Sequence, residues 1–143
     1  NYARAGFRSR HNSGYWKRDG YLGLGAGAHS FLRDAGHGTR FSNSADLKEY
    51  GAALLNNTLP RQGIMKLTRA DAMAEFLFLG LRMAEGVEFE SFEREFKTGL
   101  EDVFGREIRQ LLERELLTED SFGIRLTRRG MLLSNQVFQR FLP

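Results

Sequence analysis

The sequence predicts a mainly α protein of the α+β class, with a winged-helix-like helical domain in its C-terminal part. Two observations predict this class. Apolar residues recur with helical spacing over most of the stretch from Thr68 to Phe141, and an apolar–polar alternation around a turn near Asp120 is typical of a β-hairpin. Three helices, a hairpin and a helix follow the order of a winged helix. With 143 residues, 41% of them hydrophobic, the chain can bury one core.

The first 60 residues differ from the rest in composition and charge. They hold 9 of the 16 glycines and all 3 histidines, and their 8 Lys/Arg against 4 Asp/Glu give +4, whereas the remainder carries -1. Pro60 and Gly63 are typical of a linker. We therefore expect two domains, over residues 1–60 and 61–143. No run of eighteen apolar residues occurs, so we expect no membrane span.

Three elements are predicted in the first part. Tyr21–Ala28 is a short apolar run with glycine at every second position, which argues against a helix and favours a buried strand. Thr39–Ser42 is predicted to be a second short strand. Ser44 can N-cap a helix over residues 45–55, in which the leucines and Tyr50 share one side.

The second part carries the winged-helix-like elements. Thr68 and Asp71 form a capping-box pattern ahead of an apolar helix. Gly80 within this helix indicates close contact with another backbone. The elements predicted next are helices over residues 90–97 and 101–115, a hairpin over Leu117–Thr127 and a single last helix capped by Thr127.

The winged-helix order raises the hypothesis of nucleic-acid binding, in which the third helix enters the major groove and its cations meet phosphates. That helix interleaves arginines with glutamates, and the region is slightly acidic, so repulsion by phosphates would offset the arginines. A module that is structural or binds protein is the alternative. We expect no nucleic-acid partner.

The stretch Arg8–Arg18 is the densest polar and aromatic segment of the chain. The imidazole of His11 can ligate iron, and the rings of Tyr15 and Trp16 can stack on a planar ligand. The arginines can pair with carboxylates, including propionates. The alternative is a surface loop in which the two large aromatic residues are anchored in the core.

The glycines of Tyr21–Ala28 do not form a phosphate loop, because the Gly-x-Gly-x-x-Gly spacing and a following Lys-Ser/Thr are missing. A strand with Gly25 and Gly27 under a flat ligand or a neighbouring strand fits better. His29 would follow at the C-terminal end of that strand, where an α/β barrel carries its site, or would be a hydrogen-bonded structural residue. No catalytic set and no metal site is evident, since cysteine is absent and the carboxylates follow solvated helix faces.

Several phrases of the sequence together resemble one family. They are Asn-Tyr-Ala-Arg from residue 1, Ser-Arg-His-Asn-Ser-Gly-Tyr-Trp from residue 9, Tyr-Leu-Gly-Leu-Gly-Ala-Gly-Ala-His-Ser-Phe from residue 21, and Glu-Phe-Leu-Phe-Leu-Gly-Leu-Arg-Met-Ala-Glu-Gly from residue 75. In this order they look like HemW-type members of the oxygen-independent coproporphyrinogen III oxidase family, which are radical S-adenosylmethionine proteins. The resemblance covers essentially the whole chain.

The resemblance implies that residues 1–60 are the tail of a radical S-adenosylmethionine α/β barrel and that residues 61–143 are the C-terminal domain. It implies a cytoplasmic parent protein of porphyrin and haem metabolism with S-adenosylmethionine, a [4Fe-4S] cluster and haem. That parent resembles a haem chaperone, with the oxidase that forms protoporphyrinogen IX as the alternative. The residues it implicates in haem binding are His11, Asn12, Tyr15 and Trp16. The residues it assigns to a late barrel strand facing the S-adenosylmethionine or substrate cavity are Gly25, Gly27 and His29.

The chain also departs from the family pattern. The Cys-x-x-x-Cys-x-x-Cys cluster motif is missing and the first residue is not Met, so we expect a piece of a longer protein that is inactive alone and has no certain cofactor of its own. Without barrel neighbours, the strand Tyr21–Ala28 is expected to pair in a small local sheet or across a dimer. Glu115 stands where the family usually has Gly, at a cost of roughly 1 kcal/mol in a left-handed helix cap.

Overall fold

The computed structural model describes residues 3–4, 6–34 and 36–143. Over these residues the chain forms helices and two small antiparallel sheets of three strands each, which confirms the α+β class. In chain order the elements are α1 (Arg10–Trp16), β1 (His29–Leu32), β2 (Thr39–Asn43), α2 (Leu47–Leu55), β3 (Arg61–Lys66), α3 (Arg69–Gly80), β4 (Val87–Glu88), α4 (Phe89–Phe96), α5 (Leu100–Glu113), β5 (Leu117–Glu119), β6 (Gly123–Leu126), α6 (Arg128–Leu132) and α7 (Ser134–Phe138).

The contacts within the chain separate it into two compact units. The helical unit joins the residues up to Arg18 to Met73–Pro143, and the sheet unit is Asp19–Ala72. The segment that carries α1 therefore folds with the C-terminal part of the chain. The boundary expected after Pro60 concerns the domains of the family and stays a prediction, whereas the contacts of this chain change after Arg18 and after Ala72.

The sheet unit contains the antiparallel sheet with strand order β1-β2-β3. Its central strand β2 confirms the strand predicted over Thr39–Ser42. Phe31 on β1 and Phe41 on β2 are buried, and each ring has a guanidinium over its face, that of Arg40 on Phe31 and that of Arg61 on Phe41. These cation–π contacts cover the two apolar rings on a small sheet.

The prediction of a linker around Pro60 and Gly63 is wrong from residue 61 onward, because residues 61–66 form β3. Gly63 has a φ of +60°, a left-handed conformation that glycine adopts without strain. It lies where the register between β2 and β3 shifts. Gly63 therefore lies at a bulge within β3, although glycine is also the residue type that is typical of a linker.

The strand predicted over Tyr21–Ala28 is wrong. Of this segment, which the structure describes in full, Tyr21 alone bridges to β1, and the chain then forms a loop. Gly25 and Gly27 have φ values of +104° and +69°, which a regular strand excludes. His29 therefore opens β1 instead of following a strand. Pairing of this segment across a dimer stays a prediction, although the unpaired strand on which the prediction was based is not formed.

Helix α2 begins later than predicted, because Asp46 and not Ser44 is its N-cap. The Oδ1 atom of Asp46 accepts hydrogen bonds from two backbone N–H groups of the first turn, at 2.7 and 3.0 Å. The leucines on the predicted apolar side are exposed, Leu47 by 76% and Leu55 by 86%. The apolar side of α2 is therefore not covered by the described residues.

The capping box ahead of α3 is confirmed. The backbone N–H of Thr68 donates to Asp71 Oδ2 at 3.0 Å, and the backbone N–H of Asp71 donates to Thr68 Oγ1 at 3.1 Å. The hydroxyl of Thr68 also donates to the same carboxylate, and this bond, with the backbone bond after it, lowers the pKa of Asp71. The close contact predicted between Gly80 and another backbone is instead a contact with a side chain, since a Cβ at Gly80 would lie 2.6 Å from Val87 Cγ2.

The core of the helical unit is rich in aromatic rings. Phe76 meets Phe92 and Phe96 edge-on, with ring centroids 5.6 and 5.5 Å apart. The aliphatic and aromatic side chains that are at most 2% exposed here include Leu77, Leu81, Phe92, Leu100, Ile108, Leu111, Ile124, Val137 and Phe141. They lie along the chain from α3 to the residues after α7, and the helices predicted over residues 90–97 and 101–115 are confirmed as α4 and α5.

The predicted hairpin is present as β5 and β6, and β4 extends it to the order β4-β6-β5. Its turn is held by Asp120, whose Oδ1 accepts from the backbone N–H groups of Phe122 and Gly123 at 2.9 and 3.2 Å. These bonds, that of Phe122 first, lower the pKa of Asp120. Thr127 caps the following helix as predicted. The prediction of a single last helix is wrong, because the helix is interrupted at Leu133 and forms two short helices, α6 and α7.

Glu115 follows the C-cap of α5 with a φ of +56°, so a glutamate adopts the left-handed conformation considered for this helix end. Its side chain is exposed.

Candidate functional site

The predicted ligand-binding segment forms a helix, so the surface-loop alternative is wrong in its secondary structure. Ser9 is the N-cap of α1, and its Oγ accepts from the backbone N–H of Asn12 at 3.3 Å. His11 is exposed, whereas Asn12, Tyr15 and Trp16 are half-buried and none of them lies fully in the core. The helix therefore presents its polar and aromatic side chains at a surface.

The four residues of the motif occupy two neighbouring rows on α1, because residues four apart on a helix lie on one face. His11 and Tyr15 form the first row, and their rings meet edge-on with centroids 4.7 Å apart at an interplanar angle of 77°. Asn12 and Trp16 form the second row, and both line a cavity. The site thus combines an accessible imidazole with a cavity wall.

This cavity, which we call the α1 cavity, has a volume of about 550 Å³. One wall comes from α1 and the residues just before it, and the other comes from Arg82–Glu85 between α3 and β4. Volumes of this size are typical of pockets for small molecules and cofactors. Its lining residues are Ala3, Phe7, Arg8, Ser9, Asn12, Ser13, Trp16, Arg82, Met83, Ala84 and Glu85.

The two walls of the α1 cavity are joined by an ion pair between Arg8 and Glu85. Both side chains are substantially exposed, at 67% and 47%, so the pair adds little stability. The pKa of Glu85 is lowered, first by its own backbone N–H and then by the hydrogen bond from Arg8. The carboxylate is therefore charged at neutral pH.

A second ionic contact fixes the C-terminal end of α1. Arg18 is 4% exposed; its Nε lies 3.4 Å from Glu75 Oε2 on α3, and its Nη1 lies 3.6 Å from Glu95 Oε1 on α4. Its backbone N–H donates to the carbonyl of Tyr15 at 3.1 Å. We call this group the Arg18 cluster. It ties the motif helix to two helices of the core.

Gly25, Gly27 and His29 belong to the sheet unit, whereas the α1 residues belong to the helical unit. The loop at the glycines is held by Asn43, whose Nδ2 donates to the carbonyls of Gly23 and Gly25 at 3.1 and 2.9 Å. His29 is exposed at the start of β1. The loop is also held by two backbone hydrogen bonds beside the end of β2, from the N–H of Gly27 to the carbonyl of Ser44 and from the N–H of Asn43 to the carbonyl of Ala28, both at 2.9 Å.

Sequence reasoning missed Arg82–Glu85 as a wall of the cavity, and it also missed the Arg18 cluster. Arg18 and Glu75 are 57 positions apart, so no local pattern joins them. Within the described residues there is no group of three or more His, Asp or Glu that could hold a metal ion. No helix among these residues is long and apolar enough to cross a membrane.

Residues 67–133 match the family model of the HemN C-terminal domain. The chain is 34% and 35% identical, over 142 residues, to proteins named heme chaperone HemW from Bacillus subtilis and Lactococcus lactis. It is 34% identical over 151 residues to radical S-adenosyl methionine domain-containing protein 1, mitochondrial, from Mus musculus. These alignments cover 99–100% of this chain but only 36%, 36% and 34% of the relatives. The chain therefore spans about a third of their length.

Among solved structures, the fold is similar to coproporphyrinogen III oxidase (HemN) from Escherichia coli, described as a radical SAM enzyme. The TM-score is 0.69 over 86% of this chain and 28% of that chain, at 22% sequence identity, which is evidence for the fold alone. Residues 67–133 therefore have the C-terminal domain of the HemN type, and the fold agrees with this match. Over essentially its whole length, the chain is similar to the proteins named heme chaperone HemW, which confirms the resemblance found in its sequence.

Proposed function

We propose that the parent protein is a haem chaperone of the HemW type and that α1 supplies part of its haem contact. The observation that carries this proposal is the exposed imidazole of His11, beside a half-buried tryptophan and a cavity that arginines line. Imidazole is a common iron ligand, and aromatic faces and guanidinium groups suit a porphyrin plane and its carboxylates. The names of the relatives aligned with 99% of the chain support the same function.

Each motif residue has a role in this proposal. His11 ligates the haem iron, and Tyr15 limits the rotation of the imidazole through their edge-on contact at 4.7 Å. Asn12 and Trp16 contribute a polar and an aromatic group to the cavity wall. Arg18 is a positioning residue, because it holds the end of the helix that carries all four.

The proposal includes S-adenosylmethionine and a [4Fe-4S] cluster in the parent protein. Such a cluster is held by cysteine thiolates, and this chain has no cysteine, so its residues do not fit that group. We propose that the 143 residues alone are not catalytic and that Gly25, Gly27 and His29 face the S-adenosylmethionine or substrate cavity of the parent. A side chain built at Gly25 would meet nothing within 4 Å, so its loop leaves room for a ligand. A cytoplasmic location belongs to the same proposal.

Oxidation of coproporphyrinogen III is the second candidate function of the parent, favoured by the fold shared with HemN. The chaperone is preferred because the relatives of 34% and 35% identity carry that name. A nucleic-acid partner is not part of the proposal, since α5 mixes Arg106, Arg109 and several acidic side chains.

The test is a hemin titration of the 143-residue chain, followed by the Soret band. Ligation by His11 predicts a shifted Soret band in the wild type. It also predicts a dissociation constant at least tenfold larger in His11→Ala, which is a loss of about 1.4 kcal/mol of binding free energy. His37→Ala is the matched control, because His37 lies in the sheet unit and outside the proposed contact. A His11→Ala titration that superimposes on that of the wild type would refute ligation by this residue.

A further inference from the structure

The charges of the α1 cavity are distributed unevenly. Two cations line it, Arg8 on one wall and Arg82 on the other, against the single carboxylate of Glu85. Arg8 pairs with Glu85, whereas Arg82 has no carboxylate partner among the described residues. As far as the structure describes the chain, the cavity therefore holds one guanidinium without a carboxylate partner and, on its other wall, a second guanidinium whose partner is exposed.

Arg82 is also held in place by a ring. Its guanidinium carbon lies 4.9 Å from the centroid of Phe138, which packs against Phe78 of α3. This contact restrains the long side chain and leaves its N–H groups available, because a ring face does not accept them as a carboxylate would. A restrained guanidinium loses less side-chain entropy when it binds an anion.

We infer that the α1 cavity receives the carboxylate-bearing edge of a porphyrin, with Arg82 and Arg8 as its partners and Glu85 as a resident carboxylate that the ligand displaces from Arg8. The inference rests on the proposed haem function and assigns a part of it that the His-Asn-x-x-Tyr-Trp motif does not contain. Guanidinium groups bind carboxylates through paired N–H bonds, and a ligand with two acid groups can use two such partners. Glu85 then opposes binding, because its charge repels the ligand and competes for Arg8.

The experiment follows the fluorescence of Trp16, the one tryptophan of the chain, which bound hemin quenches, and the variants of the cavity residues assign the binding to the cavity. The 143-residue chain is titrated with hemin and with hemin dimethyl ester, which lacks the two free acid groups. For hemin, Arg82→Gln is expected to weaken binding about tenfold, the loss of a hydrogen bond to a charged group. Glu85→Gln is expected to tighten it about twofold to fivefold. For the ester, both variants are expected to match the wild type.

Arg106→Gln is the matched control, since Arg106 is exposed on α5 and does not line the cavity. Hemin binding that is unchanged in Arg82→Gln overturns the inference, and so does an equal change for hemin and its ester. The outcome is separable from that of the proposed function. If His11→Ala changes the Soret band but Arg82→Gln does not change hemin binding, the proposed function stands and the carboxylate site is refuted. If Arg82→Gln weakens hemin binding but His11→Ala leaves the Soret band unchanged, the carboxylate site stands and iron ligation by His11 is refuted.

Discussion

Removing the charge of Arg18 tests whether the Arg18 cluster holds the motif helix. In Arg18→Gln the side chain keeps much of its length and loses the cation that faces two carboxylates, one of which, Glu75, is only 12% exposed. Breaking a buried pair by removing one partner costs about 3–5 kcal/mol. The contacts here are 3.4 and 3.6 Å long, and Glu95 is 31% exposed, so we expect a smaller loss of stability, about 2–3 kcal/mol.

The assay is urea unfolding followed by circular dichroism, with the free energy of unfolding taken at zero denaturant. The double variant Arg18→Gln/Glu75→Gln should lose less than the sum of the two single variants, by at least about 1 kcal/mol, because the two side chains share one interaction. Arg106→Gln is the surface control and should stay within about 0.5 kcal/mol of the wild type. An Arg18→Gln variant as stable as that control, or single effects that simply add, would refute the reasoning.

Three further predictions concern the backbone and the caps. Glu115→Gly should raise the free energy of unfolding by about 0.5–1 kcal/mol in the same urea assay, because the residue is held at a φ of +56°; a loss of stability would contradict this. Gly80→Ala should lower it by about 1–3 kcal/mol, since the new methyl would lie 2.6 Å from a Val87 methyl, and an unchanged value would show that the contact relaxes. The bonds from Thr68 lower the pKa of Asp71 below 3.8, so the stability they give is present above pH 3.8 and is lost as the pH falls through the folded-state pKa. The stability difference between wild type and Asp71→Asn should therefore shrink as unfolding is measured at pH 5, 4, 3 and 2, and a constant difference would rule out this linkage.

The helices and the hairpin of the C-terminal part could be predicted because their signals are local. Thr68 and Asp71 lie three residues apart, and Phe92 and Phe96 four apart, so one turn of helix contains the whole pattern. The turn at Asp120 is likewise decided by bonds to the next two or three residues. Elements whose stabilising contacts are short in sequence are the ones that a single sequence reveals.

The errors fall where one residue type serves two purposes. Glycine at alternate positions fits an apolar strand, but Gly25 and Gly27 have positive φ in a loop that the distant Asn43 holds. Gly63 has the composition of a linker and lies in β3. In the candidate site, the chemistry of the segment and the family resemblance together nominated the four motif residues. The helix that carries them was not predicted, since Gly14 lies in its middle and glycine disfavours helices by roughly 1 kcal/mol.

The helical unit is built from two stretches of chain that are far apart in sequence, and this bears on the order of folding. Bringing Arg18 to Glu75 closes a loop of 57 positions, at an entropic cost of about 3–4 kcal/mol. Helix α1 has seven residues, and none of them is fully buried to repay that cost. We therefore expect α1 to dock late and to exchange its amide hydrogens faster than α3 or α5. A polypeptide trimmed to residues 67–133 would keep Glu75 and Glu95 and lose the arginine between them.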